Sequence, residues 1–267
     1  MSERPLISVL MGAYNCASTI EEAVDCILRQ TYTDWELIIC DDNSSDNTYG
    51  ILCSLAERDS RIIVLKNEEN LTLAPTLNRC LSIAKGKYIA RMDGDDICSE
   101  VRLAKEVEYL QQNPQTALVS CHMELYDETG AFGTIKFKES PVLKDFLKAS
   151  QFCHAGCMIR TEVLRALGGY SESEKFLRVE DYELWVRLYL AGYKGYNLQE
   201  VLYSMRDDRN AVKRRTLKNR KNESRVIRKV CKEGRFSFSS RFYAWIPIIK
   251  WFVPSFIYKM VHNKNRK

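Results

Sequence analysis

No Cys-x-x-Cys pair occurs among the ten cysteines of this 267-residue chain. Most of them fall inside apolar strand or helix patterns, where reduced thiols serve as small core residues, the usage of a cytosolic protein. Cys153 and Cys157 lack the second Cys/His pair that a zinc site needs. A helix that spans a bilayer needs about 20 apolar residues. The most apolar stretch, 236–261, is broken by Pro247, Lys250 and Pro254. The early run Leu6–Met11 is too short for a secretory signal and Asn15 interrupts it, so no export signal is expected. Internal repeats and low-complexity tracts are missing. So are helix-turn-helix, zinc-finger and aromatic RNA-binding motifs, and nucleic acid is not an expected partner despite the basic charge.

What is present is apolar enough for a sizeable core, at 45% hydrophobic residues. The net charge of +5 hides an asymmetry. Residues 206–267 carry 19 Lys/Arg against 4 Asp/Glu, a net of +15, and the rest of the chain is −10. An acidic body suits metal binding, and a basic end suits phosphate-bearing polymers or an anionic membrane surface.

The first third alternates strand and helix patterns. Leu6–Met11, Trp35–Cys40, Ile62–Leu65 and Lys87–Met92 read as short strands covered on both faces. Between them run helical patterns. Ser18 and Glu21 have capping-box spacing before Ile20, Ala23, Val24, Ile27 and Leu28. A second helix holds Ile51, Leu52, Leu55 and Ala56 on one face. A third has Pro75 near its first turn and Gly86 past its end. Such repetition predicts an α/β fold with a mostly parallel, doubly wound sheet, whose ligands bind at the carboxyl ends of the strands. Polar clusters stand just there: Ala13-Tyr14-Asn15, Asp41-Asp42-Asn43-Ser44 and Asp93-Gly94-Asp95-Asp96. In the second half, strands are expected at 117–123, 153–160 and 198–205, with a turn at Asp127–Gly130. Helices are expected from Thr161 to Gly168-Gly169 and from Glu180 to Ala191, where Gly192 is the stop.

Asp93-Gly94-Asp95-Asp96 is the most informative stretch. Three carboxylates in four residues repel one another unless a cation lies between them. Hard oxygen ligands suit Mg²⁺ or Mn²⁺, which are commonly held by one or two carboxylates plus substrate phosphates. A solvated acidic turn is the alternative.

Taken in order, several stretches resemble the family 2 glycosyltransferases: Met11-Gly12-Ala13-Tyr14-Asn15, Gln30-Thr31-Tyr32, Glu36 through Asp46, Ala84 through Ile89, the DGDD run, Gly168-Gly169-Tyr170 and Glu180-Asp181-Tyr182-Glu183-Leu184-Trp185. The resemblance spans residues 5 to 205. It implies a GT-A fold and an inverting transfer of a sugar from a nucleotide-diphosphate donor, UDP-linked, by an enzyme of the hexosyl- or N-acetylhexosaminyltransferase class. Ala13, Tyr14 and Asn15 would border the base, and Asp42 would accept from the uracil N–H. Asp93 would contact ribose or metal, Asp95 would hold Mn²⁺ or Mg²⁺, and Asn78 would lie near the donor. Asp181 resembles the catalytic base, although Glu180 and Asp181 at a helix N-terminus also merely complement its dipole. His154 reads either as a satisfied core residue or, like Glu180, as a contact to acceptor or metal. Many relatives carry a metal-binding His after the last strand. This chain has Asp207 and Asp208 there, as candidate substitutes.

The expected division is a catalytic domain over 1–205, with its donor-binding part at 1–115 and its acceptor side at 116–205, followed by a basic, aromatic helical appendage over 206–267. Broken aromatic and basic segments suit helices lying in a membrane interface, and a core-packing tail with a solvated basic face is the other reading. A glycan or lipid-linked oligosaccharide acceptor is the partner implied by the resemblance. The expected setting is the inner face of the cell membrane, in capsule or lipopolysaccharide synthesis. Two other classes compete. A sugar-1-phosphate nucleotidyltransferase should show a Gly-rich, Arg-containing loop after the first strand, and Gly12–Cys16 has neither property. A non-catalytic membrane- or polyanion-binding protein leaves the ordered carboxylates unexplained.

Overall fold

The computed structural model describes residues 5–207 and 216–252. Four strands, β1 (Ile7–Ala13), β2 (Trp35–Asp41), β3 (Ile62–Lys66) and β4 (Tyr88–Asp93), pair in parallel in the order β3-β2-β1-β4. Helices α1 (Ile20–Leu28), α2 (Thr48–Arg58) and α3 (Leu73–Ile83) connect them. After β4 the sheet becomes mixed. A short β5 (Ile97–Cys98) and α4 (Arg102–Gln112) lead into β6 (Thr116–Asp127) and β7 (Gly130–Ile135), then β8 (Cys157–Arg160) and β9 (Lys194–Arg206). β8 runs antiparallel between β4 and β6, β9 pairs with β6 in parallel, and β5 closes on β9 antiparallel. Helices α5 (Thr161–Ala166) and α6 (Glu180–Leu190) separate β8 from β9.

The period of two explains both faces. On β1 and β2, Val9, Met11, Leu37 and Ile39 join one core cluster with α1, α2 and α4. Leu10, Ile38 and Cys40 join the other, with α3, α5 and α6. Burial on both sides is why these strands read as continuous apolar runs. The register pairs Gly12 with Asp93 and Ala13 with Asp41, so three strand ends reach one edge together.

Several expectations are corrected. The capping box does not form: α1 starts at Ile20 with Thr19 before it, and the Thr19 hydroxyl donates instead to the carbonyl of Gly94 at 3.0 Å. Gly86 does not cap α3, which ends at Ile83. A Cβ there would stand 2.4 Å from the Ser8 nitrogen, so glycine lets the chain pass against β1. The strand expected over 153–160 is confined to 157–160, because the N–H of Cys153 donates to Ser120 Oγ at 3.1 Å rather than to a ladder. The final strand is longer than 198–205, running from 194 to 206.

Beyond β9, the expected helical appendage includes α7 (Leu217–Glu233), and its stretch 208–215 lies outside the described residues. Val226, Ile227, Val230 and Cys231 on α7 are buried in the cluster that holds Leu184, Trp185 and Leu188 of α6. A 3₁₀ segment, Phe238–Trp245, and α8 (Ile246–Trp251) fold back on α7, tied by Ser224 Oγ donating to Ala244 O at 2.6 Å. Among the described residues, no helix is long and apolar enough to cross a membrane.

Candidate functional site

A cleft of about 570 Å³ opens where β1, β2 and β4 end. The loops around it are stitched to one another. Asn15 donates its N–H to Ser44 Oγ at 3.0 Å and accepts the Ser45 N–H on Oδ1 at 2.8 Å. Asp46 accepts the Ala17 N–H at 3.1 Å and the Thr48 hydroxyl at 2.5 Å. Ala13, Tyr14 and Asn15 line one wall as expected, and the Tyr14 ring is about half exposed.

Asp42 lines the cleft but is almost fully buried. Its Oδ1 accepts the Leu71 N–H at 2.8 Å and the Asn67 side-chain amide at 2.7 Å, and Oδ2 accepts the Thr72 N–H at 2.9 Å. These bonds hold Thr72 in the left-handed region, at φ 72°. Asn15 (50°) and Arg178 (68°) share that region and also line the cleft. Strained non-glycine backbone persists where the surroundings over-determine it, and such residues cluster at ligand sites.

At the end of β4, one carboxylate oxygen from each of Asp93, Asp95 and Asp96 lies within 4.8 Å of the others. Asp93 and Asp95 line the cleft. Asp96 sits behind them, accepting the Tyr203 hydroxyl at 2.8 Å and the Arg206 N–H at 2.8 Å. Burial, followed by the neighbouring Asp93 and Asp95, pushes the Asp96 carboxyl up to about 8. Gly94 packs closely here: a Cβ would stand 2.9 Å from Ile20 Cδ1, so any larger residue displaces that side chain. Two hard-oxygen side chains facing the cleft, backed by a third that the protein itself satisfies, fit a divalent cation shared with substrate phosphates.

Two arginines that sequence reasoning passed over complete this corner. Arg91 is buried beneath it, with Nη2 2.5 Å from Asp93 Oδ1, which fixes one oxygen of that carboxylate. Arg206, at the end of β9, lines the cleft, donates from Nε to Asp95 O at 3.1 Å and pairs with Glu22 at 2.6 Å. A cation thus stands next to where many relatives carry a metal-binding His. Asp207 is buried with its N–H on Tyr126 O and does not join the carboxylate group; Asp208 lies outside the described residues. For Arg206 the available signal was a basic residue at the very end of a strand at the binding edge; Arg91, inside β4, gave none.

Across the cleft, Arg178 and Glu180 lead into α6. Asp181 is partly buried on its first turn, and burial, then the Glu180 carboxylate, pushes its pKa up to about 7. Glu180 lines the cleft and Asp181 is not among the lining residues. Glu180 Oε2 is buried without a hydrogen-bond partner, and burial raises its pKa as well.

Two predicted contacts lie elsewhere. Asn78 clamps the segment after α5: its side-chain amide donates to Tyr170 O and Glu172 Oε1 and accepts the Tyr170 N–H, each at 2.8 Å. His154 pairs with the Tyr170 hydroxyl at 3.0 Å and packs edge-on to Trp185. Burial and the nearby Arg91 hold it well below its usual pKa, hence neutral. It lies outside the carboxylate group.

A parallel doubly wound sheet that continues into a mixed half, with an acidic pair at the strand edge, is the architecture of the GT-A glycosyltransferases. The family model described as glycosyl transferase family 2 matches residues 8–168, and the chain belongs to that family; it is a glycosyltransferase. EpsE of Bacillus subtilis, which bears the name of a glycosyltransferase, is 38% identical over 266 residues, covering 99% of this chain and 96% of that one. WfaP of Escherichia coli, named a UDP-Glc:α-D-GlcNAc-diphosphoundecaprenol β-1,3-glucosyltransferase, is 30% identical over 84% of this chain and 86% of its own. Among solved structures, a mannosyltransferase from Pyrobaculum calidifontis in complex with GDP-Man and Mn²⁺ superposes with a TM-score of 0.70. It is 22% identical, with 91% of this chain and 69% of that chain covered, and shares the fold.

Proposed function

We propose that the chain transfers a sugar, with inversion, from a UDP-linked donor to a hydroxyl of a glycan or lipid-linked oligosaccharide in bacterial surface polysaccharide synthesis. One observation carries this reading: Asp93 and Asp95 face Arg178 and Glu180 across a single cleft at the carboxyl ends of β1, β2 and β4. The acceptor named for WfaP supports the lipid-linked class.

In this reading Ala13, Tyr14 and Asn15 border the base, and Asp42 accepts from the ring N–H while it braces the Leu71–Thr72 turn. Asp93 and Asp95 would hold Mn²⁺ or Mg²⁺, which supplies Lewis-acid stabilisation of the departing diphosphate. Arg206 and Arg178 add fixed positive charge beside the phosphates, which a water-excluding cleft makes more effective. Asp181 takes the acceptor proton on the opposite face, and a pKa near neutrality suits a general base. The unpartnered Oε2 of Glu180 favours a second assignment, with Glu180 taking the proton and Asp181 shaping its field.

The basic residues after 206, with the exposed rings of Phe238, Phe242, Trp245 and Phe252, support a working position on the cytoplasmic face of an anionic membrane. The test is release of free UDP across a panel of nucleotide sugars, with and without chelator. UDP release from one donor, lost on chelation and restored by Mn²⁺ or Mg²⁺, is expected. Full turnover in metal-free enzyme overturns the metal assignment, and no turnover of any UDP-sugar overturns the donor assignment.

A further inference from the structure

A second cavity, of about 300 Å³, lies beside the cleft and belongs to none of the roles above. Its walls are the 3₁₀ segment Glu174–Phe176 and the first half of α7, and Lys175, Lys218, Lys221 and Arg225 line it together with one carboxylate, Glu174. Four cations around a cavity this small repel one another unless an anion is present. Glu174 answers only part of that charge, through a 3.3 Å ion pair to Lys218 in which both side chains are largely exposed.

The position of this groove specifies the anion. The strip 174–178 forms a wall of both cavities: Glu174 and Lys175 face the groove, Leu177 and Arg178 the cleft. Arg178 is three positions along the chain from Lys175, so their Cα atoms are at most about 11 Å apart. α7 holds the strip in place, with the Asn222 side-chain amide donating to Leu177 O at 2.9 Å and to Glu174 O at 3.2 Å. Farther along, the 3₁₀ segment Phe238–Trp245, whose Phe238, Phe242 and Trp245 rings form an exposed ridge, packs on the same helix, with Arg228 over the Trp245 ring at 5.6 Å. From Lys218 to Arg228 is ten residues of helix, about 15 Å. Reaction cleft, cationic groove and exposed aromatic surface therefore follow one another along the 174–178 strip and α7.

We propose that this groove binds the diphosphate of the acceptor, an amphiphile in which a short saccharide is joined through a diphosphate to a lipid. The sugar hydroxyl enters the cleft near Asp181, one sugar residue or two away from the phosphates, and the lipid leaves toward the aromatic ridge. The proposal rests on the lipid-linked reading above and adds the residues that select it. Three of the four cations are lysines, point charges that read charge rather than shape, so the groove accepts different sugars on the same diphosphate.

The test uses the full chain and two synthetic acceptors with the same sugar, one on an alkyl diphosphate and one on a neutral alkyl glycoside. Lys218→Ala/Lys221→Ala is expected to raise KM for the diphosphate acceptor at least about tenfold, leaving KM for the glycoside and donor hydrolysis within about twofold. Glu174→Gln should lower KM for the diphosphate acceptor, a gain that a merely structural role does not produce. Equal KM values for wild type and double variant overturn the groove. If the wild type transfers to neither compound while still hydrolysing donor, the acceptor reading fails. The groove is then judged by direct binding of the alkyl diphosphate in neutral detergent micelles, where unchanged affinity of the double variant overturns it. Loss of binding to phosphatidylglycerol vesicles alone, with micellar diphosphate bound normally, makes the cluster a membrane contact and also overturns it.

Discussion

The hydroxyl of Tyr203 donates to Asp96 at 2.8 Å and accepts the backbone N–H of Asp93 at 3.2 Å, so one phenol on β9 sets both ends of the acidic loop. Tyr203 is fully buried, and Gly156 makes room for it: a Cβ at 156 would meet the tyrosine side chain at 2.9 Å.

Tyr203→Phe keeps the ring and removes this tie. Asp96, pushed up to about 8, is mostly protonated near neutral pH, and a neutral hydrogen bond contributes about 0.5–1.5 kcal/mol, which predicts roughly a 2–10-fold rise in the Mn²⁺ midpoint with little change in fold. Titrating Mn²⁺ against UDP release checks it. An unchanged midpoint with a lowered melting temperature would show that the hydroxyl serves only the core.

Asp181→Asn is nearly isosteric and cannot take a proton. Donor affinity should hold while transfer falls about 10²–10⁴-fold. Glu180→Gln, assayed alongside, separates the two carboxylates: whichever variant retains transfer within about tenfold is not the base.

The raised pKa of Asp181 also has a sign that can be checked by stability. Its folded value, about 7, lies above the usual 3.8, so the folded state binds the proton more tightly. The stabilising contribution is complete below the unfolded pKa and is lost as pH rises through the folded one. Asp181→Asn should therefore melt higher than wild type at pH 8 and no higher at pH 3.5. For a base the rate of the wild type should rise through pH 7. A variant whose melting advantage is the same at both pH values would contradict the assignment.

Asp42→Ala is predicted to weaken donor binding and leave the metal midpoint where it is. Because the carboxylate also holds the Leu71 and Thr72 amides, Asp42→Asn is the cleaner probe. It keeps an acceptor oxygen for one amide but places an NH₂ where the other donor points. Isothermal titration with UDP reads the loss, and equal affinity would remove Asp42 from uracil recognition.

Phe238, Phe242 and Trp245 are more than half exposed on the ridge beyond α7. Changing all three to Ser should leave the melting temperature within a few degrees and reduce sedimentation with anionic vesicles several-fold. Salt should weaken the wild type's attachment, since each basic residue near such a surface contributes about 1 kcal/mol and is screened. A wild type that stays in the supernatant at low salt would remove the membrane from the account.

Much of the donor side was legible because it depends on local pattern. Doubly buried β1 and β2 read as apolar runs, and the polar residues that end them, Ala13–Asn15 and Asp41–Ser44, could only converge at one edge of a parallel sheet. The helix from Glu180 was equally plain from Leu184, Trp185 and Leu188 and its glycine stop. Contacts between distant residues were not. Asn78 meets Tyr170 across 92 positions, and its polar side chain in a helix gives no sign of which loop it will clamp. Arg91 looked like one more strand residue, and only the fold reveals that it lies under Asp93. In α7 a stripe of four buried residues is hidden among Lys and Arg, so composition pointed to a polar helix where packing makes it part of the core.

That buried stripe sets the order in which a newly made chain becomes an enzyme. The donor-side loops depend on strands and helices of the first hundred residues, which form local pairs as synthesis proceeds. The helix that bears Asp181 has its apolar flank covered only when Val226, Ile227 and Val230 emerge. On the proposed function, the donor side is therefore complete before the helix that bears Asp181 is seated.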